Sequence, residues 1–391
     1  MDAEGTLIAA VDVTPAVTAE RWNRLSQFER PRQFEWSRFL ALAIQHRVEG
    51  LVVDAFTILQ AADLLPPSAW TVLKHRSRLA RERTDALVAA AQRVEEMDSG
   101  FFSGLTLYKG MTMVGRYREQ HHRMVSDLDA VVAEHQMPRV RRVLNDAGFV
   151  EKQGFRGSAF YAEPHKPQIG VDHVLFDLHF EPLPRFASAS AREHIWSDGR
   201  REPFSLGGGV DAVRFGVNES LLIALVHLAE HAASWIHVCV EDDVRMIKAL
   251  DVELLCLEPE VNAARLLYLA RTLGVLGSAT MGAAWIRVLR GEVPLSLQPL
   301  LSGPDVDDLL DLIALPDGQI GSWTVPAAER VFLSDRRALA LGMMGGGQTR
   351  VRDWYDPAAV LPTVRERVGA IVDRANTRCI GTSPGWSVPP S

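Results

Sequence analysis

The chain has 391 residues, 47% hydrophobic and 23% charged, which supplies a sizeable core and excludes a disordered or fibrous protein. The formal net charge is −7, and Lys and Arg are scattered rather than gathered in a stripe, so a nucleic-acid partner is not expected. Cys239, Cys256 and Cys379 form no CxxC pair, and their odd number argues against a disulfide framework. Met1 to Pro15 has acidic residues and no basic run before an apolar stretch, unlike a secretion signal. Apolar runs such as Leu221 to Ala229 are too short to span a bilayer. These features predict a cytoplasmic protein without a membrane partner. They say nothing of oligomeric state.

Residues 1–15 read as a loose or strand-like leader. From Val17 to Met97 the pattern is helical, with Trp36, Phe39, Leu40 and Ala43 at helical spacing. Pro66-Pro67 interrupts it, Ser68 is the expected N-cap of the next helix, and that helix runs to Met97. Its Arg-rich stretch from Arg76 to Arg93 mixes Arg with Glu and Ala, as an exposed face does. The character changes near Ser99-Gly100. Leu105–Tyr108 reads as a short strand, Met111–Arg118 as a helix and Leu128–Val132 as a second strand. Pro138–Ala147 reads as a helix closed by Gly148. Phe149–Gln153 and Ala159–Ala162 are short strands, and Val171–Phe180 alternates as a longer one. Pro182, Pro184 and Gly207-Gly208-Gly209 mark an irregular connection. Helices are expected from Ser220 into the 290s, over Val306–Leu315 and over Pro326–Leu341, with a flexible tail after Gly381.

These elements predict an α+β protein: a small mixed-sheet core over residues 101–215, flanked by helical domains over 1–100 and 216–380, then a tail over 381–391.

The strongest chemical signal is Ser126-Asp127-Leu128-Asp129. Side chains at i and i+2 on a strand point the same way, about 7 Å apart along it. Asp127 and Asp129 therefore share a face, with Leu128 and Ala130 packed behind. Such carboxylates can converge on a pair of divalent ions about 4 Å apart, the clamp used for phosphoryl transfer. Asp177 is placed to join them. In Val171–Phe180 the apolar set Val174, Phe176, Leu178 and Phe180 faces the core, which leaves Asp177 and His179 on the other face. Opposed side chains on neighbouring strands approach to about 5 Å. Three carboxylates together need a compensating cation, and Mg²⁺ or Mn²⁺ is the expected cofactor. Upstream, Lys109-Gly110 sits at a strand-to-helix turn, where backbone N–H groups and a Lys side chain can meet a phosphate. Arg116, Arg118 and Arg123 are further candidates for a triphosphate or acceptor.

Plainer readings apply elsewhere. A D-x-D pair alone is usually a solvated pair or a turn former. His227 and His231, at i and i+4 on one helix face, lack the H-E-x-x-H arrangement and read as lining a pocket rather than as a zinc site. His121-His122 reads as a loop flank, and Asp242-Asp243 as a solvated helix start.

Together, Leu107, Lys109-Gly110, Arg123-Met124-Val125-Ser126-Asp127-Leu128-Asp129 and Asp177-Leu178-His179 resemble the uncharacterised bacterial nucleotidyltransferase family, a branch of the polymerase-beta-like superfamily. His227, His231, Trp235 and Asp243 are similar to its following helix. Ala43-Ile44-Gln45-His46-Arg47-Val48 is similar to its "ARxHRV" element. The resemblance spans roughly residues 35–255. The wider superfamily has Gly-Ser after its first strand and a shorter gap to the carboxylates, whereas Gly110 here is followed by Met111. The resemblance implies metal-dependent transfer of a nucleotidyl group from a nucleoside triphosphate to a small-molecule or peptide acceptor, since members of that family resemble accessory proteins of natural-product or peptide-modifying clusters; it does not identify the acceptor. Asp127, Asp129 and Asp177 would be the metal ligands and catalytic groups; Lys109, Gly110, Arg123, Ser126 and His179 would bind the nucleotide. Rival readings are a non-catalytic nucleotide- or partner-binding protein on the same fold, a tRNA-modifying toxin, and a histidine-metal enzyme.

Overall fold

The computed structural model describes residues 3–11, 34–152, 158–162, 175–183, 189–197, 199–239, 242–302, 306–315, 320–333 and 336–343. The tail expected after Gly381 lies outside them.

Among the described residues four helices precede the sheet: α1 (Ala3–Ala10), α2 (Trp36–Gln45), α3 (Glu49–Ile58) and α4 (Pro67–Met97). The described part of the leader is thus helical, and residues 12–15 lie outside the described residues. Ala3, Leu7, Ala10 and Val11 recur at helical spacing and are buried in one cluster with Phe39 and Val52. The second helix break also differs from the expectation. Pro67 opens α4 with Pro66 at the cap position, because a proline's missing N–H costs nothing in the first turn. The 31 residues of α4 span about 46 Å. Its Arg-rich face is not simply solvated: Arg83 is buried and donates to the Ser126 carbonyl, and Arg76 pairs with Glu49.

The sheet has seven strands: β1 (Thr106–Leu107), β2 (Leu128–Val131), β3 (Val150–Lys152), β4 (Ser158–Ala162), β5 (Leu175–His179), β6 (Arg201–Gly207) and β7 (Val210–Phe215). Their order is β3-β4-β5-β2-β1-β7-β6. β2 pairs antiparallel with β1 and parallel with β5, while β1 pairs parallel with β7. The sheet is therefore mixed and the fold is α+β. Gly207-Gly208-Gly209, expected to be an irregular connection, is the turn of a hairpin that forms this sheet's edge. All three glycines have positive φ, which a tight hairpin demands and the sequence disguised as a linker.

α5 (Gly110–Val114) is shorter than the helix expected there; the chain turns at Gly115. α6 (Met137–Asp146) buries Met137, Val140, Val143 and Leu144, and the chain leaves it through Gly148 at φ 88°. After α7 (Ala189–Ser197) and the hairpin come α8 (Val217–Ala233), α9 (Trp235–Cys239), α10 (Met246–Cys256), α11 (Ala263–Thr272) and α12 (Leu276–Arg290). The helix expected over Val306–Leu315 stops at Leu310, and Leu312–Ala314 pairs with Ile320–Ser322 instead. Short apolar runs fit either structure, and pairing decides between them.

Among the described residues the apolar side chains form three clusters, a small one around Trp235, Ile313 and Trp323 and two larger ones that frame the site. One joins α1, α2 and α3 to the C-terminal helices through residues such as Leu7, Phe39, Leu225 and Ala283. The other packs Leu128, Ala130, Phe176 and Leu178 of the sheet against Leu87, Ala91 and Val94 of α4 and Val140 and Leu144 of α6. α4 serves both, since its Leu73 belongs to the first. With that sheet face covered, the carboxylates lie on the other, towards α8. Among the described residues no helix is long and apolar enough to cross a membrane.

Candidate active site

The register of β2 against β5 sets the geometry. Asp129 is the direct partner of Asp177, and Val131 of His179. Both aspartates are buried. One ligand atom each from Asp129, Asp177 and His179 lies within 4.8 Å of the others. His179 Nε2 sits 2.9 Å from Asp177 Oδ2 and 3.3 Å from Asp129 Oδ1. Asp127 stands just ahead of β2, where the Ser126 hydroxyl donates to its Oδ1 at 2.9 Å.

Lys109 reaches this cluster from the end of β1. Its backbone has φ 58°, a conformation a non-glycine residue holds only when its surroundings impose it. Its Nζ lies 2.8 Å from Asp129 Oδ1 and 4.7 Å from the centre of the Tyr108 ring. Gly110 follows because a Cβ there would come within 2.8 Å of Val125 Cγ1, so the turn packs directly on the strand approach. That is a packing reason for the glycine as well as a phosphate-approach one.

The charges are unequal. Burial, reinforced by Asp129 and Asp177, pushes the Asp127 carboxyl up to about 7. Burial alone would also raise Asp129, but Lys109 and His179 hold it below the ordinary carboxylate range. Among the described residues no hydrogen bond satisfies Asp177 Oδ1, although it is buried. A buried carboxylate oxygen without a donor and an aspartate holding its proton near neutrality mark a place where positive charge is missing. Three carboxylates and one imidazole fit Mg²⁺ or Mn²⁺, which favour oxygen ligands.

α8 and α10 form the opposite wall of a cavity of about 360 Å³. The His231 ring lies 4.4 Å from that of His227 and 3.8 Å from that of His237. Burial holds His227 and His231 well below the ordinary imidazole range, so they are neutral. Lys248 Nζ meets His231 Nδ1 at 2.7 Å and the carbonyls of Asp242 and Asp243 at 3.2 and 3.1 Å. Arg47 enters the cavity from a residue at φ 56°, just past the end of α2. Among the described residues its guanidinium makes no ion pair, and Asp242 is the opposing charge it feels most, followed by Asp127.

The family profile described as uncharacterised nucleotidyltransferase matches residues 32–290, a span holding every residue named in this cavity. The chain belongs to that family. A comparison with curated proteins finds no match.

In this family member the cavity brings together the residues expected to hold metal and nucleotide: Lys109, Gly110, Arg123 and Ser126 with Asp127, Asp129, Asp177 and His179. Arg123 is already engaged, however. Its Nε and Nη2 grip Asp251 at 2.9 and 2.8 Å, and Tyr117 Oη donates to the same carboxylate at 2.8 Å. Arg116 pairs with Glu258 away from the cavity, and Arg118 is exposed. His227 and His231 line the cavity as expected. Asp242-Asp243 is no solvated helix start: Asp243 is buried against Arg336, and Asp242 meets Arg245 at 2.6 Å. α10 begins after them, and Asp242 lines the cavity wall while Asp243 holds Arg336. The sequence offered Arg47 only as part of the "ARxHRV" element, with no site role, and did not mark Lys248 or Asp251. Lys248 and Asp251 sit on an apolar helix and gave no signal.

Proposed function

We propose that the chain is a Mg²⁺-dependent nucleotidyltransferase that moves a nucleotidyl group from a nucleoside triphosphate such as ATP to a small-molecule or peptide acceptor, in the manner of natural-product tailoring. The observation that carries the reading is the convergence of Asp129, Asp177 and His179 within 4.8 Å, beside Asp127, on the wall of one cavity. Asp127, Asp129 and Asp177 would hold the metal, with His179 beside them. Bound Mg²⁺ or Mn²⁺ would neutralise these carboxylates and polarise the phosphoryl oxygens. Asp177 would also accept the acceptor's proton. Lys109 and Arg47 supply positive charge for the triphosphate, and Lys109 would exchange its contact with Asp129 for a phosphate oxygen. Gly110 and Ser126 would border the triphosphate, while Arg123, held by Asp251, fixes the loop carrying Asp127.

The Lys109–Asp129 ion pair also favours a second reading, a non-catalytic nucleotide-binding protein, because it neutralises one carboxylate without a metal. Incubation with each nucleoside triphosphate and Mg²⁺, with and without candidate acceptors, separates the two. Pyrophosphate release that stops in Asp129→Asn supports transfer. Nucleotide binding without any release, across all four triphosphates, supports the second reading.

A further inference from the structure

A second cluster lies on the turn leading to the carboxylate loop. Asp54 of α3 faces His121 and His122 on the 3₁₀ turn Gln120–His122, which is not the bare loop flank its sequence suggested. Each imidazole takes a different oxygen of the one carboxylate: His121 Nε2 lies 3.1 Å from Oδ1, and His122 Nε2 lies 2.7 Å from Oδ2. One ligand atom from each residue lies within 4.8 Å of the other two. His122 is buried, while Asp54 and His121 are part-exposed, so the cluster has a closed side and an open one. The turn is seated firmly. A Cβ on Gly50, one helical turn before Asp54, would come within 2.0 Å of the His121 carbonyl oxygen, so only glycine lets the turn rest on α3.

We propose that Asp54, His121 and His122 form a zinc site, distinct from the carboxylate cavity, with water completing the coordination on the open side. Two imidazole nitrogens and one carboxylate suit Zn²⁺ and its neighbours Co²⁺ and Ni²⁺, whereas Mg²⁺ prefers the oxygens of the aspartate cluster. Zinc here ties α3 to the turn immediately before Arg123, and so steadies the loop that carries Asp127. The assignment does not depend on the reaction proposed above.

Arg81 supplies the distinguishing feature. Its Nη2 lies 3.3 Å from His121 Nδ1 and 3.7 Å from Glu119 Oε2. An arginine only donates, so without metal His121 keeps its proton on Nε2 and donates a hydrogen bond from it to Asp54 Oδ1. Zinc on Nε2 moves that proton to Nδ1, and Arg81, half exposed, shifts wholly to Glu119. Arg81 therefore opposes zinc, whereas it supports a merely hydrogen-bonded cluster.

The test is calorimetric titration of the chelator-stripped full chain with Zn²⁺ in saturating Mg²⁺. One equivalent of Zn²⁺ is expected that survives Asp177→Asn, weakens by at least about tenfold in Asp54→Asn and in His121→Gln, and tightens in Arg81→Gln. Circular dichroism checks each variant's fold, and the part-exposed His121→Gln decides should Asp54→Asn not fold. Co²⁺ in place of zinc should give a visible absorption that His121→Gln abolishes. Absence of Zn²⁺ binding, or an equivalent that His121→Gln leaves untouched, overturns the proposal.

Discussion

Asp127 and Lys109 carry opposite risks in the metal-free protein. The raised Asp127 carboxyl binds its proton more tightly folded than unfolded. Its contribution to stability is full below the ordinary carboxylate range and is lost as pH rises towards about 7. Asp129, held low, acts in the opposite sense and loses its contribution on acidification. Above neutrality Asp127→Asn should therefore raise the metal-free protein's stability by up to about 4 kcal/mol, the equivalent of lifting a carboxyl from 3.8 to about 7 at about 1.4 kcal/mol per pKa unit, while abolishing turnover. Denaturant midpoints near pH 8, read beside pyrophosphate release, check both parts. Mn²⁺ binding should also release protons below about pH 7 and progressively fewer above it, because the metal displaces the Asp127 proton. Calorimetry in two buffers of different ionisation enthalpy measures this; a flat profile that Asp127→Asn does not change would remove Asp127 from the metal site. Lys109→Ala leaves the buried Asp129 without its 2.8 Å partner and should cost about 3–5 kcal/mol, with much of it restored by saturating Mn²⁺. A loss that Mn²⁺ does not restore would make Lys109 purely structural.

The carboxylate loop is held in place by α10. Asp251 receives Arg123 and Tyr117 together, so it joins α10 to the segment entering β2. Asp251→Ala strands a buried guanidinium and should cost about 3–5 kcal/mol in denaturant titration. Tyr117→Phe removes one hydrogen bond to a charged group and should cost roughly 2 kcal/mol. Equal losses would mean that the Met124 carbonyl, which also accepts from Arg123 Nη1, holds the guanidinium without Asp251. At this scale the sequence was legible where periodicity is strict. The alternation Phe176, Asp177, Leu178, His179 set both the core face and the cleft face, and Gly148 closed its helix as read. It was illegible where pairing between distant segments decides. The β6–β7 hairpin looked like a glycine linker because both strands have mixed burial and β6 is the sheet's edge, and Leu312–Ala314 continued an apolar run that reads equally as helix.

Over the whole molecule, α1 to α3 and the C-terminal helices share one core, and the sheet packs on α4 and α6. The cavity forms where these bodies meet, which is why Arg47, Lys248 and Asp251 could not be read from local pattern: they come from helices distant in sequence and join the site only through tertiary packing. The carboxylates, by contrast, needed only strand alternation and one parallel pairing. The account stands or falls on whether a metal and a nucleotide occupy that cavity together. Equilibrium titration with each nucleoside triphosphate, in Mg²⁺ and again in EDTA, is the most direct measurement. At least one triphosphate should bind in Mg²⁺, lose at least about tenfold in affinity in EDTA, and lose as much in Asp129→Asn. Equal affinity in Mg²⁺ and EDTA, or binding that Asp129→Asn leaves unchanged, would contradict it.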